Sequence, residues 1–256
     1  MTNNNLSNKN FWYQNWLTLK LPSKFWSDYS HQIISNKIGD YILNNYSTCI
    51  EIGGCPGHWA DYFYHQHHLI SDSLDYDKNN IKITRKNYRL LKIKGKVILG
   101  DITNKPTLPN HKYDIVLSDG LVEHFKDSNK VFENHVKLLK DNGLLIIGVP
   151  NIKKSIFYNF FSKLNQKSYQ SFRNVTVFEL EQLVKKNKLQ VLFCNYLGIV
   201  NLGVINSFSF SKIGKILHVY LNYFVDLFLK KSKIKLESKT FSPYIFLIAK
   251  KNDKKK

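Results

Sequence analysis

Apolar residues change their spacing several times along the chain, and each change marks an element. Phe11, Trp12, Trp16, Leu19, Phe25 and Trp26 recur partly at helical spacing, with Pro22 interrupting them. Ile33, Ile34, Ile38, Tyr41 and Ile42 share one side of a helix expected over about 30–44. The period then shortens. Ser47-Thr-Cys-Ile-Glu-Ile-Gly53 reads as a short buried strand that ends in glycines. Further helices are expected over 59–67, 79–91 and 127–139, the last with Asn142-Gly143 as its stop signal. Strands are expected at 73–75, 97–99, 113–118 and 144–149. This β–α alternation predicts a parallel sheet with helices on both faces.

Composition supports the picture. The chain has 256 residues, 43% of them hydrophobic, enough for one large domain with a packed core. The three cysteines, Cys49, Cys55 and Cys194, include no C-x-x-C pair, which excludes a disulfide scaffold and a zinc ribbon. The net charge is +19, of which +15 falls after Pro150. Such asymmetry points to an anionic partner, or to a lysine-rich composition throughout; both readings stay open. The lysines from Lys250 to Lys256 read as a solvated end. Met1 to Asn10 is polar and Asn-rich, without a charged-then-apolar signal segment, so a cytoplasmic protein is expected.

The chemistry concentrates after the first strand. Gly53-Gly-Cys-Pro-Gly57 is a glycine-rich turn between a strand and a helix. Glycine lets backbone approach a ligand, and the helix start beyond it offers free N–H groups. Asp75 ends the next strand, about 20 residues on, where an acid can bind a ribose diol. Asp101 ends the third strand and Ser118-Asp119-Gly120 the fourth. Any one of these acids could be a cap or a turn residue. Three in order at the carboxyl ends of strands match the ligand edge of an open α/β sheet.

With these motifs the sequence resembles the class I S-adenosylmethionine-dependent methyltransferases over about residues 45–200. Leu138-Leu-Lys-Asp-Asn-Gly-Leu-Leu-Ile-Ile-Gly-Val-Pro-Asn151 is similar to the fifth-strand signature of the ubiquinone-biosynthesis-like, small-molecule subgroup. Val177–Leu183 and Phe241–Lys250 are similar to its late helix and last strand. The resemblance implies a Rossmann-like, doubly wound sheet of about seven strands, mostly parallel with an antiparallel last strand. It implies one domain over 1–256: a helical extension (1–45), a cofactor-binding core (46–150) and a substrate region with lid helices and last strands (151–256). It implies S-adenosylmethionine as cofactor. Glu51, Gly53, Gly54, Cys55, Pro56 and Gly57 would meet its methionine end, with Glu51 near the amino group. Asp75 would bind the ribose and Tyr76 the adenine. Gly100, Asp101 and Ile102 would also contact the adenine, and Ser118, Asp119 and Gly120 would lie beside the sulfur. Cys55 stands where the family usually has the loop's middle glycine.

If the methyl acceptor is a hydroxyl, a base must remove its proton. His124 is the candidate, because its pKa range suits the role and it follows the fourth strand. The competing reading is a histidine packed against the core. Glu123 beside it would orient it; two adjacent residues do not define a metal site, and no metal is assigned. His65, His67 and His68 are read as surface residues.

Four readings of the acceptor stand. The first is O-methylation of a small molecule, such as a sugar or a lipid-linked glycan. The second is RNA 2′-O-methylation, since Gly53–Trp59 is also similar to the loop of the FtsJ-like RNA methyltransferases and the positive charge suits phosphate. It is disfavoured because that family needs a lysine on the strand read here as Leu144–Val149. The third is peripheral membrane contact through 213–235, where an apolar helical face adjoins Lys230-Lys-Ser-Lys-Ile-Lys235; a lid or core helix is the slightly preferred alternative. The fourth is a non-catalytic protein that keeps the fold.

Overall fold

The computed structural model describes residues 6, 16, 19–151, 155, 172–201, 212–232 and 237–253. Phe11 and Trp12 of the first helical spacing lie outside them, as do the aromatics from Phe157 to Tyr169, which with Phe172 are expected from the sequence to help cover the substrate pocket.

Helix α1 (Tyr29–Gly39) starts at Asp28, whose carboxylate accepts from the His31 N–H at 3.1 Å. Then come β1 (Thr48–Ile52), α2 (His58–His67), β2 (Ile70–Asp75), α3 (Lys78–Leu91), β3 (Val97–Leu99) and β4 (Tyr113–Asp119). A single helical turn, Val122–His124, precedes α4 (Asn129–Leu138) and β5 (Leu139–Pro150). The chain ends with α5 (Val177–Lys186), β6 (Leu189–Leu197), α6 (Lys212–Ser232) and β7 (Tyr244–Lys251). Thr176 and Glu179 form the start of α5, with the Glu179 N–H bonded to the threonine hydroxyl at 3.1 Å.

The seven strands form one sheet in the order β3-β2-β1-β4-β5-β7-β6. The first five pair in parallel, and β7 runs antiparallel to both neighbours. This is the Rossmann-like arrangement expected. Strands in such a sheet are buried on both faces, so alternate residues feed two cores. Ile50, Ile52, Leu145 and Ile147 pack on one face with Val131 and Phe132 of α4 and Leu180 of α5. Cys49, Ile115, Leu144 and Ile146 pack on the other with Ile34 and Ile38 of α1 and Trp59 and Phe63 of α2.

Three expectations change. Phe25 and Trp26 lie in a non-helical segment, yet their rings still join the core. Asn142-Gly143 does not stop a helix. The chain passes from α4 directly into β5, and this pair lies in an irregular stretch where the β4–β5 register jumps from Tyr113↔Leu139 to Ile115↔Leu144. Asn142 takes φ 62° there. Finally, the described residues of α6 are placed away from the cleft. The helix packs against α1, where Asp226 accepts from the Tyr29 N–H at 2.6 Å.

Candidate active site

A cleft opens at the carboxyl ends of β1 and β4, where the strand order reverses and α/β sheets bind ligands. Its floor begins at the glycine turn. Gly53 has φ +70°, and a side chain there would press on Leu121. No side chain caps α2 locally, because its first residue follows Gly57 at φ +100°. The cap comes instead from β1: Glu51 accepts from the Ala60 N–H at 2.9 Å and the Trp59 N–H at 3.4 Å. A Cβ on Gly54 would collide with the Glu51 side chain, so the second glycine is required by this carboxylate. Burial pushes Glu51 up to about 8, against the lowering effect of these two donors.

Asp75 is buried at the end of β2. Its oxygens accept from the Asp77 N–H at 2.8 Å and Asn80 Nδ2 at 3.1 Å, and burial raises its pKa to about 6. A narrow slot beyond it is walled by Leu74, Tyr76, Ile102 and Phe125, with Gly100 and Asp101 at its edge. Asp101 Oδ1 is engaged by the backbone and hydroxyl of Thr103 at 2.8 and 2.7 Å.

The other end of the cleft is acidic and aromatic. Asp119 Oδ2 accepts from Trp59 Nε1 at 3.0 Å, while Oδ1 is buried without a hydrogen-bond partner among the described residues. Burial raises the Asp119 pKa. His124 is buried, with Nε2 3.8 Å from Glu123 Oε1 and its ring 4.7 Å from that of Phe172. Trp16, Trp26, Trp59 and Tyr244 complete the walls, with His58, which burial holds down at about 3 and so keeps neutral. No Lys or Arg is among the described residues that line the cleft.

The structure thus brings Glu51, Gly53, Gly54, Cys55, Asp75, Tyr76, Asp119, Gly120 and His124 to one cleft, with Gly100, Asp101 and Ile102 in the adjoining slot. Pro56, Gly57 and Ser118 do not border it. Pro56 is turned to α3, its carbonyl accepting from Asn87 Nδ2 at 3.1 Å. Gly57 lets α2 pass α3, since a Cβ would lie 2.7 Å from Tyr88. Ser118 is buried beneath the strand end. Cys55 interacts with Thr84, and burial raises its thiol pKa. His65 and His67 sit at the far end of α2, engaged by Leu91 O and the Tyr62 hydroxyl at 3.0 and 2.8 Å.

Sequence reasoning expected aromatic cover from Phe157 to Phe172, of which Phe172 lines the cleft, but missed Trp16, Trp26, Trp59 and Tyr244 in the wall, and Arg173. The Arg173 backbone N–H donates to Glu123 O of the Val122–His124 turn at 3.0 Å, and its guanidinium holds Phe125 O at 2.6 Å, Ser128 at 2.8 Å and Glu179 at 2.7 Å beyond it. Its only sequence signal was proximity to α5.

The donors and acceptors suit S-adenosylmethionine. A buried carboxylate at Asp75 suits a diol, the apolar slot beyond it suits a flat ring, and the glycine floor leaves room for a thin chain. The family comparison agrees. Residues 50–147 match a family described as a methyltransferase domain. Over those residues the chain is similar to that methyltransferase family. A search of curated proteins returns no match. Among solved structures, a SAM-dependent methyltransferase from Archaeoglobus fulgidus is 16% identical with TM-score 0.57, covering 95% of this chain and 100% of its own. The YcgJ protein of Bacillus subtilis is 18% identical with TM-score 0.59, covering 87% and 99%. An O-methyltransferase family protein from Burkholderia thailandensis is 13% identical with TM-score 0.56, covering 87% and 57%. At these identities the likeness is one of fold.

Proposed function

We propose that the protein methylates a hydroxyl of a small molecule, such as a sugar or a lipid-linked glycan. The observation that carries this is the acceptor end of the cleft. Aromatic planes and buried acids line it, and no described Lys or Arg does. Such walls suit a polyol and offer nothing to a phosphate at the reacting end. The RNA reading weakens further, because the lysine of the fifth strand, Lys140, sits at the opposite edge of the sheet. It is 3.0 Å from Asp114.

In this reading the whole chain is one domain. Asp75 holds the ribose hydroxyls; Tyr76, Gly100, Asp101 and Ile102 frame the adenine. Gly53, Gly54 and Cys55 run beneath the methionine part, and Glu51 keeps that loop on α2. Asp119 and Gly120 border the sulfur end. The bound cofactor supplies an electrophilic methyl carbon. His124 takes the acceptor's proton, and Glu123, 3.8 Å away, favours the resulting imidazolium. Trp26, Trp59 and Phe172 hold the acceptor against that base and exclude water.

The test uses cofactor labelled in its methyl group, incubated with an extract of the source cells and then fractionated. Label in small molecules or lipid-linked glycans supports the reading; label in RNA overturns it. His124→Ala should reduce turnover and leave S-adenosylhomocysteine binding unchanged. Undiminished turnover removes His124 as the base.

One further observation favours action at a membrane surface. No helix among the described residues is long and apolar enough to cross a bilayer. Yet α6 exposes Ile216, Leu217, Tyr220, Leu221, Phe224 and Phe228, each more than half exposed, next to exposed Lys230 and Lys231. Apolar surface beside lysines complements an anionic bilayer. Flotation with phosphatidylglycerol vesicles, lost in Leu217→Asp/Phe224→Asp, supports this. Equal recovery with neutral vesicles, or self-association through that face, counts against it.

A further inference from the structure

The Val122–His124 turn carries an ionisable side chain, Glu123, whose oxygens the described residues leave without a hydrogen bond. Glu123 is 1% exposed. It nevertheless borders the cleft, with Oε1 lying 3.7 Å from where a Gly120 Cβ would be. Charged groups face it from three places. Asp119 comes from the end of β4, His124 from the same turn, and Arg173 from the segment before α5. Arg173 is committed to Phe125, Ser128 and Glu179. Among the described residues, Glu123 therefore has no cation in close contact other than a protonated His124. A buried carboxylate without hydrogen bonds is costly to ionise, and a ligand cation relieves that cost. The cofactor of this cleft has such a charge at sulfur and loses it when the methyl group leaves.

We propose that Glu123 is the counter-charge for the sulfonium of S-adenosylmethionine, shedding a proton when the donor binds and taking one back after transfer. In the free protein Glu123 is a neutral acid, in keeping with burial and Asp119 pushing its pKa up to about 8. Donor binding converts it to a carboxylate and sends one proton to solvent. During transfer the S–CH3 bond breaks and the acceptor O–CH3 bond forms. The acceptor's hydroxyl proton passes through His124 to Glu123, whose cationic neighbour has gone. This last step rests on the proposed hydroxyl acceptor; the binding step does not. The consequence is a site that prefers the charged donor and releases the neutral product.

Donor and product share their adenosine, amino and carboxylate groups, so their difference isolates the sulfur charge. The experiment is calorimetric titration of the full chain with S-adenosylmethionine and S-adenosylhomocysteine, in buffers of different ionisation enthalpy. At pH 7 the donor should release about one proton more than the product, and the excess should vanish by about pH 9.5. Glu123→Gln should abolish the excess, weaken donor binding at pH 9 about tenfold and leave product binding within about twofold. Equal proton release by the two ligands in the parent protein overturns the proposal, as does an excess that survives in the variant. If the variant binds neither ligand, the comparison in the parent decides alone. Product binding with no excess leaves the cofactor assignment standing and removes only the role of Glu123.

Discussion

Asp75→Asn is the perturbation that best isolates the cofactor assignment. The replacement is nearly isosteric, and the surroundings tolerate it. Asp75 Oδ1 keeps the Asp77 N–H at 2.8 Å, while Oδ2 faces Asn80 Nδ2 at 3.1 Å. Asn80 Oδ1 is buried without a partner, so turning the Asn80 amide lets it accept from the amide introduced at position 75. Folding stability should therefore change by less than about 1 kcal/mol. Ligand binding should change more. Two hydrogen bonds from a diol to a carboxylate are each worth about 1–1.5 kcal/mol more than to a neutral amide. Affinity for S-adenosylhomocysteine should fall roughly 30- to 150-fold at pH 7.5. The pH profile supplies a second readout. Burial raises Asp75 to about 6, and a diol prefers the ionised form. Parent affinity should therefore be level above pH 7 and fall about tenfold per unit below about pH 6. The variant should be flat over that range. Calorimetric titration from pH 5 to 8, with thermal unfolding alongside, measures both. A variant with unchanged melting and parental affinity would falsify the ribose assignment.

Three more outcomes follow from the same geometry. Gly54→Ala should displace Glu51 from the Ala60 and Trp59 N–H groups and cost about 2–4 kcal/mol in urea unfolding. Burial raises Glu51 from 4.5 to about 8, so its favourable contribution is full below about pH 4.5 and is lost as pH rises through 8. Glu51→Gln should flatten the decline in stability between pH 5 and 8 by roughly 5 kcal/mol at most; an unchanged slope refutes the shift. Trp59→Phe keeps the ring packing against Phe25 and Phe246 but deprives Asp119 Oδ2 of its donor. A loss of about 1–3 kcal/mol is expected by chemical denaturation, and no loss would mean that Asp119 finds another partner.

The order of strands and helices from Thr48 to Pro150 was legible because each strand is a short apolar run and each helix has a clear period. Val97–Leu99 is the same three residues in both readings. The acids at strand ends were legible for a topological reason: in a doubly wound sheet, sequence position after a strand is position at the ligand edge. Membership of the cleft was only partly legible. Ser118 and Asp119 are adjacent, but alternation along β4 buries one under the sheet and turns the other to the ligand. Asn142-Gly143 misled because its left-handed preference serves a strand irregularity as readily as a helix end.

Local period and chain order were enough to set the fold class, the cofactor edge and the small set of residues that chemistry there requires. Which groups share a space was settled by packing. Folding set Trp59 against Asp119 across 60 positions and brought Phe172 onto His124 across 48. It tied Arg173 to the turn that carries Glu123. It left that carboxylate buried with no hydrogen bond among the described residues, a condition no spacing encodes, because burial and partner choice are properties of the packed chain.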